Sequence, residues 1–379
     1  MDLKEIRNRI DVIDDEILKL FTERMETVKE VAEYKRAKNL PTLNSQRERD
    51  IIARVTDGMD DEMASYTKSL YSTMFEVSRS YQNHANFDSE SAKQKIKSAC
   101  LPAEALFPKS AVVACQGVEG SNSQIACDKL FDRPKIMYLS SFDSVFTAVD
   151  KGLCRYGILP IENSLHGSVT QVYDLMKKYS FHIVRSARVK IDHMLLANPG
   201  VKAEDIKEIY SHEQALAQCS EYLKELKNVK IIPCENTAVA AKMVLESGRS
   251  DVAAISSKNC AELYNLCVLN DNIQNSANNY TRFICIAKEL EIYPGANKIS
   301  VMLNLPHRPG SLYEMISKFS VLGVNLTKLE SRPIPGRDFE FTFYVDFDAS
   351  VYSEEILTLV ASLEESPDFF SFLGNYSEI

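Results

Sequence analysis

The sequence predicts a multidomain protein: an all-α helical bundle, then an α/β unit, then a small α+β unit. Three observations predict it. No breaker precedes Pro41, so roughly 38 residues run in helical pattern. From Ala111 to about Leu290, short β-type runs alternate with helical stretches. After Tyr293-Pro294-Gly295, a last stretch of about 80 residues carries strand and helix signals in the order βαββαβ. The length of 379 residues agrees, because single cores rarely grow much beyond about 250 residues.

In the first unit, Leu3, Ile6, Ile10, Ile13, Ile17 and Leu20 alternate three- and four-residue steps, a coiled-coil or bundle seam. A helix of that length spans about 55 Å and cannot bury its stripe within one small domain. It implies an intertwined dimer or a protruding arm. Ser45-Gln46-Arg47-Glu48 reads as a capping box opening a second helix that Gly58 ends. A third helix runs from about Asp60 to His84. Asp88 through Pro108 is polar, with Pro102 and Pro108, and reads as a linker. The α/β unit shows strands at Ala111–Cys115, Tyr156–Pro160, Phe181–Val184, Val229–Ile232, Val252–Ile255 and Phe283–Ala287. The last unit has strands at Ile299–Leu305, Asn325–Glu330, Phe339–Phe347 and near Phe369–Leu373, with helices Ser311–Ser320 and Glu354–Leu363, a ferredoxin-like split unit. The expected division is 1–87, a linker 88–108, 109–290 and 297–379.

Composition excludes some classes. Lys+Arg number 44 against 53 Asp+Glu, a net charge of −9 that argues against nucleic acid or an anionic membrane as main partner. Nine cysteines, none in Cys-x-x-Cys or zinc-finger spacing, read as reduced core thiols of a cytoplasmic protein needing no metal. The start Met1-Asp2-Leu3-Lys4 lacks a signal-peptide core, and no run of about 20 apolar residues could span a membrane. No dinucleotide or Walker motif is present, and no cofactor is expected.

At about 100° per residue, Arg24 and Lys35 fall in the middle of the apolar stripe of the first helix. They are about 16 Å apart along the axis, so two long side chains could close on a compact anion. Both could instead snorkel or pair with acids. Arg7 lies about 25 Å from Arg24 and could serve only a partner chain's site. Asn44, Arg47 and Glu48 at the second helix start, with Ser78 and Gln82 at i, i+4 on the third, complete the polar set. Together these residues resemble the active site of the all-helical chorismate mutases. The resemblance implies that arginines clamp the substrate carboxylates while Lys35 and Gln82 contact the ether oxygen. Asn44 stands where an Asp is common. The reaction, chorismate to prephenate, is pericyclic and needs positioning and charge stabilisation rather than a nucleophile.

In the α/β unit the polar turns stand out: Gly117-Val118-Glu119-Gly120-Ser121, Pro160-Ile161-Glu162-Asn163 with Gly167-Ser168-Val169, Ser211-His212-Glu213-Gln214 with Gln218, and Asn279-Tyr280-Thr281-Arg282-Phe283. Each alone is an ordinary cap or turn. In this order they resemble the catalytic domain of prephenate dehydratases, two lobes like a periplasmic binding protein with the site in the cleft. That resemblance makes Thr281 the candidate to hydrogen-bond or protonate the departing hydroxyl. Asn163, Ser211 and Gln218 would position prephenate, with Arg282 nearby and Glu162 a rival acid. Asn122 and His166 depart from the family pattern.

Pro309-Gly310-Ser311-Leu312 and Leu329-Glu330-Ser331-Arg332-Pro333 resemble a phenylalanine-responsive ACT domain. The resemblance places phenylalanine at a subunit interface near Gly310, Leu312, Asn325 and Glu330. Taken whole, the chain resembles the bifunctional chorismate mutase–prephenate dehydratases of phenylalanine biosynthesis, feedback-inhibited and assembled as a homodimer or homotetramer. Two alternatives stay open: a dehydratase with a degenerate helical dimerisation domain, or a non-enzymatic amino-acid-binding regulator.

Overall fold

The structure is a computed structural model that describes residues 2–379 apart from 39, 41, 87, 88, 308, 335, 338 and 365–368, and apart from the side chains of 80, 83–86 and 89. Three helices come first: α1 (Leu3–Ala37), α2 (Ser45–Thr56) and α3 (Asp61–Asn86). The expected seam on α1 is real but uncovered in one chain. Leu3, Ile10, Ile13, Ile17 and Leu20 are each at least 50% exposed, and Ala32 is the one buried residue of this helix. The cap of α2 lies one residue earlier than expected: the Asn44 side chain accepts from the Arg47 backbone N–H at 3.0 Å.

The stretch expected as a linker holds a helix, α4 (Ser89–Ala99). Ala92 and Ile96, four residues apart, are buried, and Ile96 joins the core of the C-terminal unit. Lys93 and Lys97 both pair with Glu354 of that unit. Lysines and serines surround the two buried apolar side chains, and Lys93 is itself buried, which hid the helix.

The α/β unit runs β1 (Val112–Gln116), α5 (Asn122–Leu130), β2 (Lys135–Leu139), α6 (Phe142–Asp150), β3 (Tyr156–Asn163), β4 (Gly167–Ser168), α7 (Thr170–Tyr179) and β5 (His182–Lys190). The chain then crosses into a second lobe: β6 (Met194–Ala197), β7 (Glu208–His212), α8 (Glu213–Gln218), α9 (Ser220–Glu225), β8 (Lys230–Cys234), α10 (Thr237–Ser247), β9 (Val252–Ser256), α11 (Lys258–Leu263) and β10 (Cys267–Asn270). It returns through 271–279 to β11 (Tyr280–Ala287) in the first lobe. The second-lobe sheet has the order β10-β6-β9-β7-β8. Two crossovers between lobes make a hinge and a cleft.

The C-terminal unit is β12 (Lys298–Asn304), α12 (Ser311–Val321), β13 (Leu326–Pro333), β14 (Phe341–Asp348), α13 (Glu354–Glu364) and β15 (Phe370–Glu378), the βαββαβ order expected. Its sheet does not stop at its own edge. β15 pairs in parallel with β5, so β13-β14-β12-β15-β5-β11-β3-β1-β2 form one continuous sheet. The inner face packs on α6 and α7 in a core where Tyr173 of α7 meets Tyr344 of β14 edge-on at 4.4 Å between ring centroids.

Gly374 makes that junction possible. A Cβ there would sit 2.2 Å from the Ile183 backbone oxygen on β5, closer than any real contact. Gly374→Ala is therefore expected to push β15 off β5, destabilising the chain by about 3 kcal/mol or more, read as a lowered Tm. Wild-type melting of that variant would show that the two sheets join elsewhere.

Of the cysteines, six are buried, Cys100 and Cys234 are half-buried, Cys267 is exposed and all nine are free thiols. No described helix is long and apolar enough to cross a membrane. Among the described residues no group of His, Cys, Asp or Glu could hold a metal ion.

Candidate active sites

In the helical bundle, α1 and α3 bring three of the expected residues together. The Arg24 guanidinium donates to Ser78 Oγ at 2.5 Å, and Ser78 Oγ in turn donates to the Met74 carbonyl at 2.6 Å. Gln82, one turn further on, is buried; its Nε2 donates to the Ser78 carbonyl at 3.3 Å. Gln82 Oε1 is buried with no partner among the described residues, a polar group that a ligand could satisfy. Lys35 reaches the Thr42 carbonyl at 2.5 Å. Burial lowers its ammonium below the usual lysine value, opposed by the Glu48 carboxylate.

Glu48 is already paired with Arg79, which also holds Glu314 of α12 at 3.1 Å. Arg79, missed in the sequence, thus ties the bundle to the C-terminal unit. Asn44 spends its side-chain oxygen on the helix cap. Arg47 and Arg7 are exposed, and Arg7 sits near the free end of α1, away from the Arg24 cluster. One chain therefore joins Arg24, Ser78 and Gln82 by hydrogen bonds and sets Lys35 within the field of Glu48, with Arg7 in neither group.

The second site lies where the two lobe crossovers meet. β3 and β11 are antiparallel neighbours with Asn163 opposite Thr281. Asn163 Nδ2 donates to Thr281 Oγ1 at 3.0 Å and to Asn279 Oδ1 at 2.8 Å. Asn163 Oδ1 accepts from the backbone N–H groups of Leu165 and His166, both at 3.0 Å. Across the cleft, Gln218 at the end of α8 accepts from Asn279 Nδ2 at 2.9 Å and from His193 Nε2 at 2.7 Å. Burial holds His193 below its ordinary value, with the Gln218 bond opposing. Gln218 Nε2 lies 3.2 Å from His166 Nδ1. A cavity of about 200 Å³ opens here, lined by Leu165, His166, Gln218, Gln274 and Asn279 among others, with no Asp, Glu, Lys or Arg. Asn279, His193 and His166 complete this network and were not among the expected site residues.

Three expected residues lie elsewhere. Ser211 is fully buried and donates to the Ile255 carbonyl at 2.7 Å, inside the second-lobe sheet. Glu162 and Arg282 face each other on the opposite side of the β3–β11 pair from Asn163 and Thr281, because successive strand residues point to opposite faces. Arg282 is bound to Asp346 of β14 at 2.5 Å and to Glu162 at 3.3 Å. His212 caps α8, accepting from the Gln214 N–H. The Gly120 N–H is taken by Gln124 Oε1 at 2.7 Å, so that turn does not offer it to an anion.

On the C-terminal unit, Gly310 adopts a left-handed conformation at the start of α12, Leu312 is 38% exposed, and Asn325 is exposed just before β13. Glu330 of β13 is engaged by the Ser168 hydroxyl and by Lys328.

Both regions match known families. The chorismate mutase type II family matches residues 6–83, and the prephenate dehydratase family matches residues 113–291. A bifunctional chorismate mutase/prephenate dehydratase of Aquifex aeolicus (strain VF5) is 32% identical over 379 residues, covering 99% of this chain and 98% of that one. An arogenate dehydratase/prephenate dehydratase of Arabidopsis thaliana is 38% identical over 276 residues, covering 70% of this chain and 72% of its own. Among solved structures, a prephenate dehydratase from Arthrobacter aurescens in complex with L-Phe is 32% identical, with a TM-score of 0.63, covering 70% of this chain and 89% of that one. Matched by both family models and along its whole length by the bifunctional relative, this protein belongs to the bifunctional chorismate mutase/prephenate dehydratase family.

Proposed function

We propose that the two activities of the family are divided between the two sites as follows. The chain rearranges chorismate to prephenate and converts prephenate to phenylpyruvate. In the first step Arg24 pairs with a substrate carboxylate while Lys35 and Gln82 hydrogen-bond the ether oxygen as its bond breaks. Ser78 holds the Arg24 fork in place. Glu48, Asn44 and Arg47 border the substrate, and Arg7 reaches the site of a second copy. The exposed seam on α1 supports a homodimer or homotetramer in which α1 of each chain is covered by the other.

In the second step the electrons of the ring-carboxylate bond flow into the ring as carbon dioxide leaves. They expel the ring hydroxyl, which takes up a proton from solvent and departs as water. Thr281 Oγ donates to that oxygen and stabilises the charge it gains. Asn163 and Gln218, bound to each other's neighbours through Asn279, hold the substrate between the lobes. The observation that carries this reading is the Asn163–Asn279–Gln218 hydrogen-bond chain ending on Thr281.

The C-terminal unit is read as an ACT domain sensing phenylalanine through Gly310, Leu312, Asn325 and Glu330, with feedback on the dehydratase. The L-Phe complex of the Arthrobacter relative supports it. The units are 1–87, 109–290 and 297–379, with α4 belonging to the last by its packing, in a cytoplasmic enzyme.

Feeding chorismate to the full chain tests the scheme. Phenylpyruvate should form, and its rate should fall as phenylalanine is added. Accumulated prephenate would remove the second assignment, untouched chorismate the first, and indifference to phenylalanine the third.

A further inference from the structure

The side of the β3–β11 pair away from the cleft holds a buried charge cluster that lies outside both candidate sites. Arg282 is 9% exposed, yet it faces carboxylates from three strands. These are Asp346 of β14 at 2.5 Å, Glu162 of β3 at 3.3 Å and Glu378 of β15 at 4.0 Å. Asp346 is 5% exposed and is fixed in turn by Ser300 Oγ, which donates to it at 2.6 Å. Lys328 of β13 reaches back to Glu162 at 3.2 Å and to Ser168 of β4 at 2.6 Å.

Sheet order makes these contacts informative. β14 lies four strand positions from β11, and β13 six from β3. On a flat sheet with strands about 4.8 Å apart those separations would be about 19 and 29 Å, beyond any side chain. The contacts exist because the sheet curls around α7. Arg282–Asp346 is a brace across that curl, and flattening the sheet would break it.

The brace acts on catalytic geometry through one peptide bond. Arg282 follows Thr281 on β11, and its partner Glu162 precedes Asn163 on β3. Holding Arg282 and Glu162 on one face fixes the strands whose other face carries the Thr281–Asn163 hydrogen bond.

We propose that Arg282 is a positioning residue of the dehydratase reaction, and that its bond to Asp346 is the tie through which the state of the C-terminal unit sets the placement of Thr281 and Asn163. The first half rests on the dehydratase assignment, and the second also on the reading of the C-terminal unit as a phenylalanine sensor. Movement of β14 reaches the cleft by pulling Arg282, without any ligand contact there. Replacing the whole pair by apolar groups should cost little stability, as buried ion pairs are often replaceable in that way.

Three variants of the full chain test this. Asp346→Asn keeps the shape and the Ser300 contact but removes the charge. The double variant Arg282→Met/Asp346→Leu replaces the pair by apolar groups and guards against a simple failure to fold. Asp174→Asn breaks a different tie between the same units, the exposed Asp174–Arg332 pair. Dehydratase kcat and KM, mutase kcat and phenylalanine binding by calorimetry are measured on each.

The first two variants should lose about 10- to 100-fold in dehydratase kcat, the range for about an ångström of misplacement, with KM changed far less. They should still bind phenylalanine and keep mutase kcat, while dehydratase activity no longer responds to phenylalanine. Asp174→Asn should behave as wild type. Dehydratase kcat within twofold of wild type in the folded double variant would overturn the positioning role. A retained phenylalanine response there would overturn the tie. If the wild-type chain binds no phenylalanine, the sensor reading fails by itself, and the kcat loss still decides the positioning role.

Discussion

Thr281→Ala is expected to lower dehydratase kcat by about 10²- to 10³-fold, the usual loss when a donor to developing oxyanion charge is removed. Mutase activity should be untouched, so chorismate fed to this variant should pile up as prephenate. The geometry makes the result interpretable. Asn163 Nδ2 loses one of three acceptors but keeps Asn279 Oδ1 at 2.8 Å and the Tyr280 carbonyl at 3.3 Å. The site should stay in place at a stability cost of about 1 kcal/mol. Thr281→Ser, which restores the hydroxyl, should recover most of the rate. A Thr281→Ala enzyme with normal turnover would remove Thr281 from the mechanism and leave Asn163 and Gln218 as the principal donors.

Arg24→Ala should cost the mutase about 10²- to 10³-fold and leave prephenate turnover unchanged. Arg24 and Ser78 join α1 to α3, far along the chain from β3 and β11. Ser78 keeps its bond to the Met74 carbonyl when the guanidinium is gone, so circular dichroism should report an intact bundle. Arg24→Lys should rescue poorly, because an ammonium cannot present the planar fork that holds a carboxylate and Ser78 together. Full mutase activity in Arg24→Ala would mean that the substrate carboxylate is held by another group than Arg24.

Much of this was legible before any coordinates. The βαββαβ order, the place of Arg24 on the apolar stripe and the i, i+4 pair Ser78/Gln82 follow from periodicity and helical spacing, which are local properties; that Arg24 meets that pair is implied by the family resemblance. Asn163, Gln218 and Thr281, named through the dehydratase resemblance, are linked by hydrogen bonds through Asn279 and Asn163. What escaped depends on direction and on long-range pairing. Thr281 and Arg282 are neighbours in one motif, and both were expected at the substrate; strand alternation sends them to opposite faces. Ser211 sits in a turn motif, yet its hydroxyl is consumed by a carbonyl of the adjoining strand, a pairing no local window reveals. The helix α4 went unread because two buried apolar side chains, Ala92 and Ile96, stand among lysines and serines.

Joining β15 to β5 also bears on what happens when the chain is cut. A fragment ending before β12 would retain every residue of the dehydratase cleft, yet β5 would become a bare edge with Ile183 and Val184 beside unpaired backbone groups. Such an edge invites pairing with other copies. The C-terminal unit is thus a lateral seal for the catalytic sheet as well as a separate fold, and it cannot be shed as a detachable cassette without leaving an aggregation-prone wound.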